Sequence, residues 1–341
     1  MPAPDLESLL GRAPVPADPS AVRPLLAGRR VLVTGAGGSI GAELCRHLSS
    51  HDPARLVMLD HAETALYDVS LRLTGRALLD SADLVLCDIR DEAALTAAFA
   101  ANRPDVVFHA AALKHLPILE RHPAEAVKTN VWGTRNVLAA ARAVGATHVV
   151  NVSTDKAADP ASVLGWSKRV AEQLTASYGA GAGGSYVSVR FGNVLGSRGS
   201  VVETFTRQIR AGLPVTVTDA DATRYFMTVD EACELILRAA VIGRPGEALV
   251  LDMGRPVRIV DVAEQLMAQL GRRVPVEVTG RRPGEKLDED LFGTGEPRDI
   301  RPEHPLISHV PVPPTRPEEL ATVPVRGPAD QIVAALRALC R

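Results

Sequence analysis

Six short aliphatic runs, separated by stretches rich in alanine and leucine, constrain the fold of this chain more than any other feature. Each run is almost unbroken in its hydrophobicity, as in parallel strands whose two faces are both covered by helices. The repeated alternation of strand and helix therefore predicts an α/β fold with a doubly wound parallel sheet. The predicted strands lie at residues 31–33, 56–59, 84–86, 106–109, 149–152 and 186–189.

This alternation also predicts how the chain is divided. The sheet would occupy residues 29–192 and would be rejoined by residues 226–254, where a further strand is expected at 248–252. Two irregular segments rich in arginine, glycine and proline interrupt the pattern. We expect these segments, 193–225 and 255–320, to form a smaller mixed α/β lobe that binds substrate.

The two ends of the chain have a different character. Residues 1–28 contain several prolines and predict an extended N-terminal leader with one short helix around residues 6–10. Residues 321–341 would form a C-terminal segment with a short helix from residue 329.

Composition excludes several classes of function. The net formal charge is only -2, so the chain as a whole has no electrostatic reason to bind nucleic acid or an anionic membrane. The four cysteines lie far apart without metal-ligand spacing, and we expect reduced thiols and no metal site. The N-terminus lacks the regions of a signal peptide, and no apolar run could span a bilayer. These features predict a cytoplasmic protein without a transmembrane segment.

A glycine-rich segment, residues 34–41, follows the first predicted strand and opens a predicted helix. Glycines allow a tight turn and a close approach of backbone to a pyrophosphate, and the helix N-terminus offers unpaired N–H groups. In this context the segment predicts a Rossmann-type sheet with a dinucleotide site. The expected contacts are Gly35, Gly38, Ser39, Ile40 and Gly41.

Residues at the ends of the next strands complete the predicted cofactor site. Asp60 closes the second strand, where a carboxylate can accept hydrogen bonds from both adenosine ribose hydroxyls and would repel a 2′-phosphate. We therefore expect NAD as the cofactor, not NADP. Asp88 and Ile89 would meet the adenine. The small side chains of Ala110 and Ala111 would let the dinucleotide lie against the backbone.

The fifth predicted strand ends in Thr154, Asp155 and Lys156, at the edge where this architecture carries its reactive groups. The next helix carries Lys168, which can bind the nicotinamide ribose. Short-chain dehydrogenases have a catalytic tyrosine four residues before this lysine, and here that position is Leu164. Leucine cannot exchange a proton, so hydroxyl deprotonation must fall to another group.

Further motifs make the chain resemble the extended short-chain dehydrogenase/reductases and, more narrowly, the catalytic domain of bacterial UDP-N-acetylglucosamine 4,6-dehydratases of polysaccharide biosynthesis. Many large members of this group carry transmembrane helices before this domain, and many replace the tyrosine with methionine, to which Leu164 is comparable. The resemblance runs from about residue 6 to about residue 305. Its motifs are residues 9–12, 34–41, 109–117, 153–156, 190–197, 223–228 and 282–287.

The resemblance implies a reaction in three steps: NAD⁺ oxidises the sugar at C4, water leaves across C5–C6, and the hydride returns to C6. The product would be a UDP-4-keto-6-deoxy sugar. Asp155 would donate a proton to the C6 hydroxyl, Lys156 would remove the C5 proton, and Thr154 would bind the C4 oxygen. A neutral lysine needs a lowered pKa, which we expect from burial, from Lys168 and from the nicotinamide ring.

The resemblance also implies contacts with a UDP-sugar. Arg224 and Arg282 would hold the diphosphate, because a guanidinium matches its oxygens. Glu285 would accept the uridine ribose hydroxyls. The strand formed by Val215, Thr216 and Val217 would meet uracil through its backbone. Lys114 and His115 would contact the sugar, and Asn193 would contact the sugar or the diphosphate.

Alternative functions share this scaffold. A UDP-sugar 4- or 5-epimerase needs no acid at C6, and a 5,6-dehydratase would stop before the hydride returns. A non-catalytic NAD- or UDP-binding protein is suggested only by the missing tyrosine. Relatives of this kind predict a homo-oligomer, a dimer or larger.

Overall fold

The protein is described by a computed structural model that covers residues 4–10, 12, 19–77 and 79–340. The part of the chain so described contains fourteen strands, numbered in chain order. They are β1 (Arg30–Thr34), β2 (Arg55–Asp60), β3 (Leu84–Leu86), β4 (Val106–His109), β5 (His148–Val152), β6 (Ser185–Arg190), β7 (Asn193–Leu195), β8 (Val215–Val217), β9 (Thr223–Arg224), β10 (Phe226–Thr228), β11 (Glu247–Leu251), β12 (Val257–Arg258), β13 (Val276–Val278) and β14 (Ile307–Pro311).

Eight of these strands form one sheet in the order β14–β11–β6–β5–β4–β1–β2–β3. The pairs from β3 to β11 are all parallel, and β14 pairs antiparallel with β11. The six predicted strands lie within β1 to β6, so the predicted Rossmann-type parallel sheet is confirmed. The segment expected to belong wholly to the lobe, 255–320, also supplies β14 to this sheet.

The helices of the described residues cover both faces of the sheet and build the lobe. They are α1 (Pro19–Leu26), α2 (Ser39–Ser49), α3 (Glu63–Thr74), α4 (Glu92–Asn102), α5 (Leu116–Arg121), α6 (Pro123–Ala126), α7 (Thr134–Ala143), α8 (Val163–Gly179), α9 (Val201–Ala211), α10 (Val229–Ile242), α11 (Ile259–Gln269) and α12 (Ala329–Leu339). A π-helical segment, Val127–Gly133, joins α6 to α7, and short 3₁₀ helices span Glu7–Leu10, Asp155–Ala157 and Pro317–Thr322.

The sheet has a hydrophobic core on each face because successive side chains of a strand point to opposite faces. On β1, Val31 and Val33 belong to one core and Leu32 to the other, and all three are fully buried. The first core is closed by α1, α2, α3 and α10, and the second by α4, α7, α8 and α12. Burial on both faces explains why the strands are aliphatic throughout.

The N-terminal segment is not the extended leader that its prolines suggested. Residues 19–26 form helix α1, whose Val22 and Leu26 are buried in the first core against α10. The short helix expected near residues 6–10 is present, and its Leu9 and Leu10 are buried in the core of the lobe. Residues 1–3, 11 and 13–18 of the predicted leader lie outside the described residues.

The lobe has a third core, formed mainly by α9, α11 and β8. Three two-stranded pairs complete it: β8 with β13, β7 with β10, and β9 with β12. Strand β7, which pairs with β10, begins just beyond the carboxyl end of β6, and β12, which pairs with β9, follows the carboxyl end of β11, so the lobe stands over that edge of the sheet.

The chemistry expected of the cysteines agrees with the structure. All four are free thiols, and Cys45, Cys87 and Cys233 are buried. Separately, a membrane-spanning segment would require a long apolar helix, and the helices of the described residues include none of that kind.

Candidate active site

A cleft of about 520 Å³ opens at the carboxyl edge of the sheet, where the strand order reverses between β1 and β4. Ligands bind at such a point in open α/β sheets. The cleft brings together seven of the predicted cofactor residues and two of the predicted sugar contacts. These are Gly35, Gly38, Asp60, Asp88, Ile89, Ala110 and Ala111, with Lys114 and His115.

The glycine loop between β1 and α2 is packed too tightly for side chains at three positions, Gly35, Gly37 and Gly41; a Cβ on Gly37 would lie 2.3 Å from Ala65 Cβ. Gly35 has a φ of +66°, and a Cβ there would lie 2.6 Å from Ala111 N. A Cβ on Gly41 would lie 2.0 Å from Gly35 O. Helix α2 begins at Ser39 with Gly38 as its N-cap, which has no side chain to satisfy the first N–H groups. The loop therefore forms a cradle in which those N–H groups can receive a phosphate.

Asp60 and Asp88, the two acids predicted for the cofactor, have different surroundings. Asp60 accepts hydrogen bonds from Gly37 N (2.9 Å) and Ala62 N (3.0 Å), so its carboxylate is fixed beside the glycine loop. Asp88 is held by Arg90, which also lowers the pKa of Asp88. The Asp88 carboxylate is thus already paired, and its predicted contact with adenine would have to be made beside Arg90.

Two cations, Lys114 and Arg198, lie at the mouth of the cleft, and the sequence did not predict a role for Arg198. The Arg198 guanidinium donates to Gly37 O in the glycine loop, and Arg198 N donates to Ser39 Oγ (3.0 Å). Lys114 Nζ donates to Arg198 O (2.8 Å), and burial followed by the charge of Arg198 lowers the pKa of Lys114. Lys114, predicted to contact the sugar, thus lies with Arg198 next to the phosphate cradle. The motif 190–197 ends one residue before Arg198, which is why it was overlooked.

Buried polar side chains fix the loop that follows β4. His109 is hydrogen-bonded to Thr34 Oγ1 (2.7 Å) and Thr134 Oγ1 (2.9 Å), and burial lowers its pKa to about 3. Asn130, in the π-helical segment, binds both the N–H (2.8 Å) and the carbonyl (3.0 Å) of Leu113. The wall of the cleft made by residues 110–113 is therefore positioned by neutral side chains beneath it.

The polar end of β5 forms a compact hydrogen-bonded group. Thr154 caps the 3₁₀ helix Asp155–Ala157, and its hydroxyl donates to Asp155 Oδ1 (2.8 Å). The same carboxylate oxygen accepts from Lys156 Nζ (3.0 Å). Asp155 is 0% exposed, and its second oxygen, Oδ2, has no hydrogen-bond partner among the described residues. A buried, half-paired carboxylate beside an amine is suited to proton transfer.

The pKa of Lys156 differs from the prediction. Burial lowers it, but the charges of Asp155 and Glu289 outweigh burial, so the pKa of Lys156 is raised above its ordinary value. Glu289 Oε1 lies 3.9 Å from Lys156 Nζ. Lys156 is therefore an ammonium ion in the ligand-free protein, because two carboxylates lie beside it, and Lys168 is not among the main causes of the shift.

Lys168 and Leu164 lie on α8 beside this group. Lys168 Nζ donates to Val152 O (2.6 Å), and burial lowers the pKa of Lys168 to about 8. Leu164, at the position of the tyrosine, is buried in the second core. The structure thus places the lysine next to the end of β5 and gives Leu164 a packing role.

Two glycines make room for the backbone of Lys156 and the carboxylate of Asp155, a signal that sequence reasoning did not use. A Cβ on Gly165 would lie 2.3 Å from Lys156 O, and one on Gly192 would lie 3.0 Å from Asp155 Oδ2. Asp155 N also donates to Phe191 O (2.9 Å), which fixes the residue against the extension of β6.

A buried ion-pair network lies directly below the site. Arg190, at the end of β6, is 0% exposed and binds Glu172 (2.8 Å) on α8 and Glu296 (2.7 Å). Arg190 also donates to Leu291 O (3.0 Å), and Ser153 Oγ donates to Glu172 (2.6 Å). The network therefore joins the end of β5 to the segment that carries Glu289.

The predicted diphosphate and ribose contacts bind one another in the ligand-free protein. Arg224 donates to Thr223 O, Leu287 O and Lys286 O, and to Glu285 Oε1 (3.2 Å). Glu285 also accepts from Thr218 Oγ1 (2.7 Å) and Arg282 N (3.3 Å). All four terminal N–H groups of Arg224 are thus used, and this side chain clamps residues 285–287. Its predicted contact with a diphosphate would require these bonds to be exchanged.

The remaining predicted substrate residues are spread over the lobe and its border with the sheet. Val215 and Val217 are buried in the lobe core, and Thr216 is exposed and bonded to Gln208. Their strand pairs with β13, so one backbone edge is occupied. Asn193 begins β7, and His115 lies next to Gly199 at the cleft. The uracil and sugar contacts remain predictions.

The strand order and the glycine loop define the fold of the extended short-chain dehydrogenase/reductase class. The chain belongs to the polysaccharide biosynthesis protein family, whose pattern matches residues 31–310. It is 44% identical over 297 residues to the probable polysaccharide biosynthesis protein EpsC of Bacillus subtilis, covering 85% of this chain and 49% of EpsC. The chain thus spans about half the length of this relative.

Two solved structures share the fold. Pen from Bacillus thuringiensis is 32% identical with a TM-score of 0.76, over 84% of this chain and 89% of Pen. A double mutant of DesIV, a dTDP-glucose 4,6-dehydratase from Streptomyces venezuelae with NAD bound, is 25% identical with a TM-score of 0.68. That match covers 77% of this chain and 88% of DesIV.

Proposed function

We propose that this chain is an NAD-dependent UDP-N-acetylglucosamine 4,6-dehydratase that forms a UDP-4-keto-6-deoxy sugar. The observation that carries the proposal is the pairing of buried Asp155 with half-buried Lys156, 3.0 Å apart, at the carboxyl end of β5. Elimination of water across C5–C6 needs an acid at one carbon and a base at the next, and this pair supplies both kinds of group.

The residues of the cleft fit NAD. The cradle formed by Gly35, Gly41 and the start of α2 would hold the pyrophosphate, and Asp60 would receive the adenosine ribose hydroxyls. Lys168, with a single acceptor among the described residues, keeps N–H groups for the nicotinamide ribose. When bound, NAD supplies the acceptor that takes hydride from C4 and returns it to C6. DesIV, which shares this fold, binds NAD.

Thr154 and Asp155 account for the first proton. Oxidation at C4 releases the hydroxyl proton, and Thr154 Oγ1 can accept it while passing its own proton to Asp155 Oδ1, 2.8 Å away. This relay performs the task of the tyrosine that Leu164 replaces. Asp155 is then a neutral acid and can protonate the departing C6 hydroxyl, which leaves as water.

Lys156 accounts for the second proton. Its neutral amine would remove the proton from C5, which the C4 ketone has made acidic, and would return it to C5 after C6 is reduced. Two protons leave the sugar, from the C4 hydroxyl and from C5, and two are returned, to the C6 oxygen and to C5. The acid and the base therefore end the cycle as they began it.

UDP as the nucleotide, N-acetylglucosamine as the sugar and a homo-oligomeric state are part of the proposal and follow from the sequence resemblance. A cytoplasmic location is also part of it and follows from the sequence features given above. Arg282, exposed at the rim of the lobe, is available for a diphosphate, whereas Arg224 and Glu285 would have to exchange their mutual bond.

Product analysis tests the proposal. Purified protein is incubated with UDP-N-acetylglucosamine, and the product is analysed by mass spectrometry and NMR. We expect the mass to fall by one water and a new methyl group to appear at C6. A product of unchanged mass and altered configuration at C4 or C5 would assign an epimerase, and an unsaturated C5–C6 product would assign a 5,6-dehydratase. Binding of NAD and UDP without any turnover would leave only a binding protein.

A further inference from the structure

A second acid, Glu289, faces the pair of Asp155 and Lys156. Glu289, which follows the clamped segment 285–287, is 7% exposed, and its Oε1 lies 3.9 Å from Lys156 Nζ. Its other oxygen, Oε2, is buried without a hydrogen-bond partner among the described residues, as is Asp155 Oδ2. The lysine therefore lies between two half-paired carboxylates, an arrangement that costs free energy if both are ionised.

The fold holds Glu289 in this place from two sides. Arg224 binds the carbonyls of Lys286 and Leu287, just before Glu289. Arg190 binds Leu291 O, just after it. Both arginines are buried. Arg190 ties this short segment to the sheet, and Arg224 ties it to β9. The position of Glu289 is thus set by the same residues that position the lobe.

Lys156 begins as an ammonium ion and cannot accept a proton in that form. Its closer partner is Asp155, which becomes neutral once it has received the proton from C4. Among the described residues, Lys156 then retains one anionic neighbour within 4 Å, Glu289. From this geometry, and resting on the function proposed above, we infer that Glu289 is a positioning residue that takes the proton which Lys156 must release before its amine can remove the C5 proton.

The transfer is balanced in charge. One N–H bond of Lys156 breaks and one O–H bond forms on Glu289 Oε1, so an ion pair becomes two neutral groups. The separation of 3.9 Å exceeds a hydrogen bond by about 1 Å, which rotation about the terminal bonds of the lysine closes.

Burial of Glu289 favours this exchange, because it raises the pKa of the acceptor; the charge of Asp155, which also raises that pKa, is lost once Asp155 is neutral. Burial raises the pKa of Glu289, Lys156 lowers it and Asp155 raises it again, with smaller lowering effects from Arg224 and Lys286; the net pKa is raised. Neutralising Lys156 and Glu289 removes two charges from a largely buried site, which lowers the cost of burial.

The variant Glu289→Gln tests the inference through the pH dependence of turnover. In the wild type Lys156 and Glu289 share one proton. The fraction of neutral Lys156 therefore does not vary with pH between the pKa values of these two groups. In the variant Lys156 must lose its proton to solvent, so the rate should rise about tenfold per pH unit near neutrality. Asp288→Asn, on the adjacent exposed residue that binds Thr223, is the control and should keep the wild-type plateau.

If the turnover rate of Glu289→Gln were lower than that of the wild type but still independent of pH, the inference would be overturned. A structural role reduces the rate equally at all pH values. A second measurement needs no turnover and so separates this inference from the proposed function. Lysines are labelled by reductive ¹³C-methylation, and Lys156 is titrated by NMR in the ligand-free protein. We expect Glu289→Gln to lower its titration midpoint by about one pH unit, because an anionic neighbour is removed. An unchanged midpoint in this folded variant would overturn the coupling.

Discussion

Gly165, in the first turn of α8, lies against the carbonyl of Lys156 so closely that a Cβ would approach its oxygen to 2.3 Å. The contact sets the depth at which Lys156 and Asp155 enter the site, because both follow β5 on the short 3₁₀ helix that rests on α8. The helix that carries Lys168 is therefore also fitted to the segment that carries Asp155 and Lys156.

The first prediction is that Gly165→Ala displaces this pair. A methyl group cannot fit 2.3 Å from a carbonyl oxygen, so α8 or residues 155–157 must move. We expect a loss of turnover of at least about tenfold, since small displacements of reacting groups are costly, with destabilisation of about 1–3 kcal/mol. Gly145→Ala is the control: its Cβ would meet nothing within 4 Å, and its positive φ should cost only about 1 kcal/mol without loss of turnover. Equal kcat in wild type and Gly165→Ala would contradict the contact.

The second prediction concerns Arg198. Its guanidinium lies on the glycine loop beside Lys114, so removing it takes a positive charge from the phosphate cradle. We expect Arg198→Ala to weaken NAD binding about tenfold, by calorimetry, with a smaller effect at high salt. Arg207→Ala removes an exposed arginine of the adjacent helix α9 and should leave the affinity unchanged. If both variants bound NAD as the wild type does, Arg198 would have no role in the cradle.

The third prediction is a pH dependence of stability from Lys168. Burial lowers its pKa to about 8 in the folded protein, against about 10.4 in an unfolded chain. Between these two values the unfolded chain binds more protons, so this residue's contribution to stability increases as pH rises and is lost as pH falls towards 8. Across this window the free energy of unfolding of the wild type should rise relative to that of Lys168→Met by about 3 kcal/mol.

Urea denaturation of both proteins over this pH range measures the difference. Lys128→Met, which removes a half-exposed lysine paired with Glu125, should show the pH dependence of the wild type. If the free energy of unfolding varied with pH in the same way in the wild type and in Lys168→Met, the pKa of Lys168 would not be lowered by folding.

Much of the fold could be predicted because its signals are local. The aliphatic runs of β1 to β6 and the glycine loop each lie within a few consecutive residues. Helix α1 was missed because prolines dominate residues 1–28 and conceal the buried pair of Val22 and Leu26. β14 was missed because it lies apart from the strand–helix alternation and joins the sheet antiparallel.

The site was predicted only in part, since its electrostatics depend on residues far apart in the chain. Thr154, Asp155 and Lys156 are adjacent, and their place after β5 pointed to them. Glu289 reaches Lys156 only through folding of the lobe, so the raised pKa of Lys156 could not be foreseen. The hydrogen bond between Arg224 and Glu285 could not be predicted either, because these two residues are also far apart in the chain.

The measurement that tests the central claim most directly is the entry of solvent deuterium at C5 of the sugar. UDP-N-acetylglucosamine is incubated in D₂O with wild type, Lys156→Met and the control Lys128→Met, and the product is examined by NMR. If Lys156 is the base, the wild type and Lys128→Met should incorporate deuterium at C5 while forming the 4-keto-6-deoxy product, and Lys156→Met should do neither. Normal C5 exchange and product formation by Lys156→Met would contradict the account.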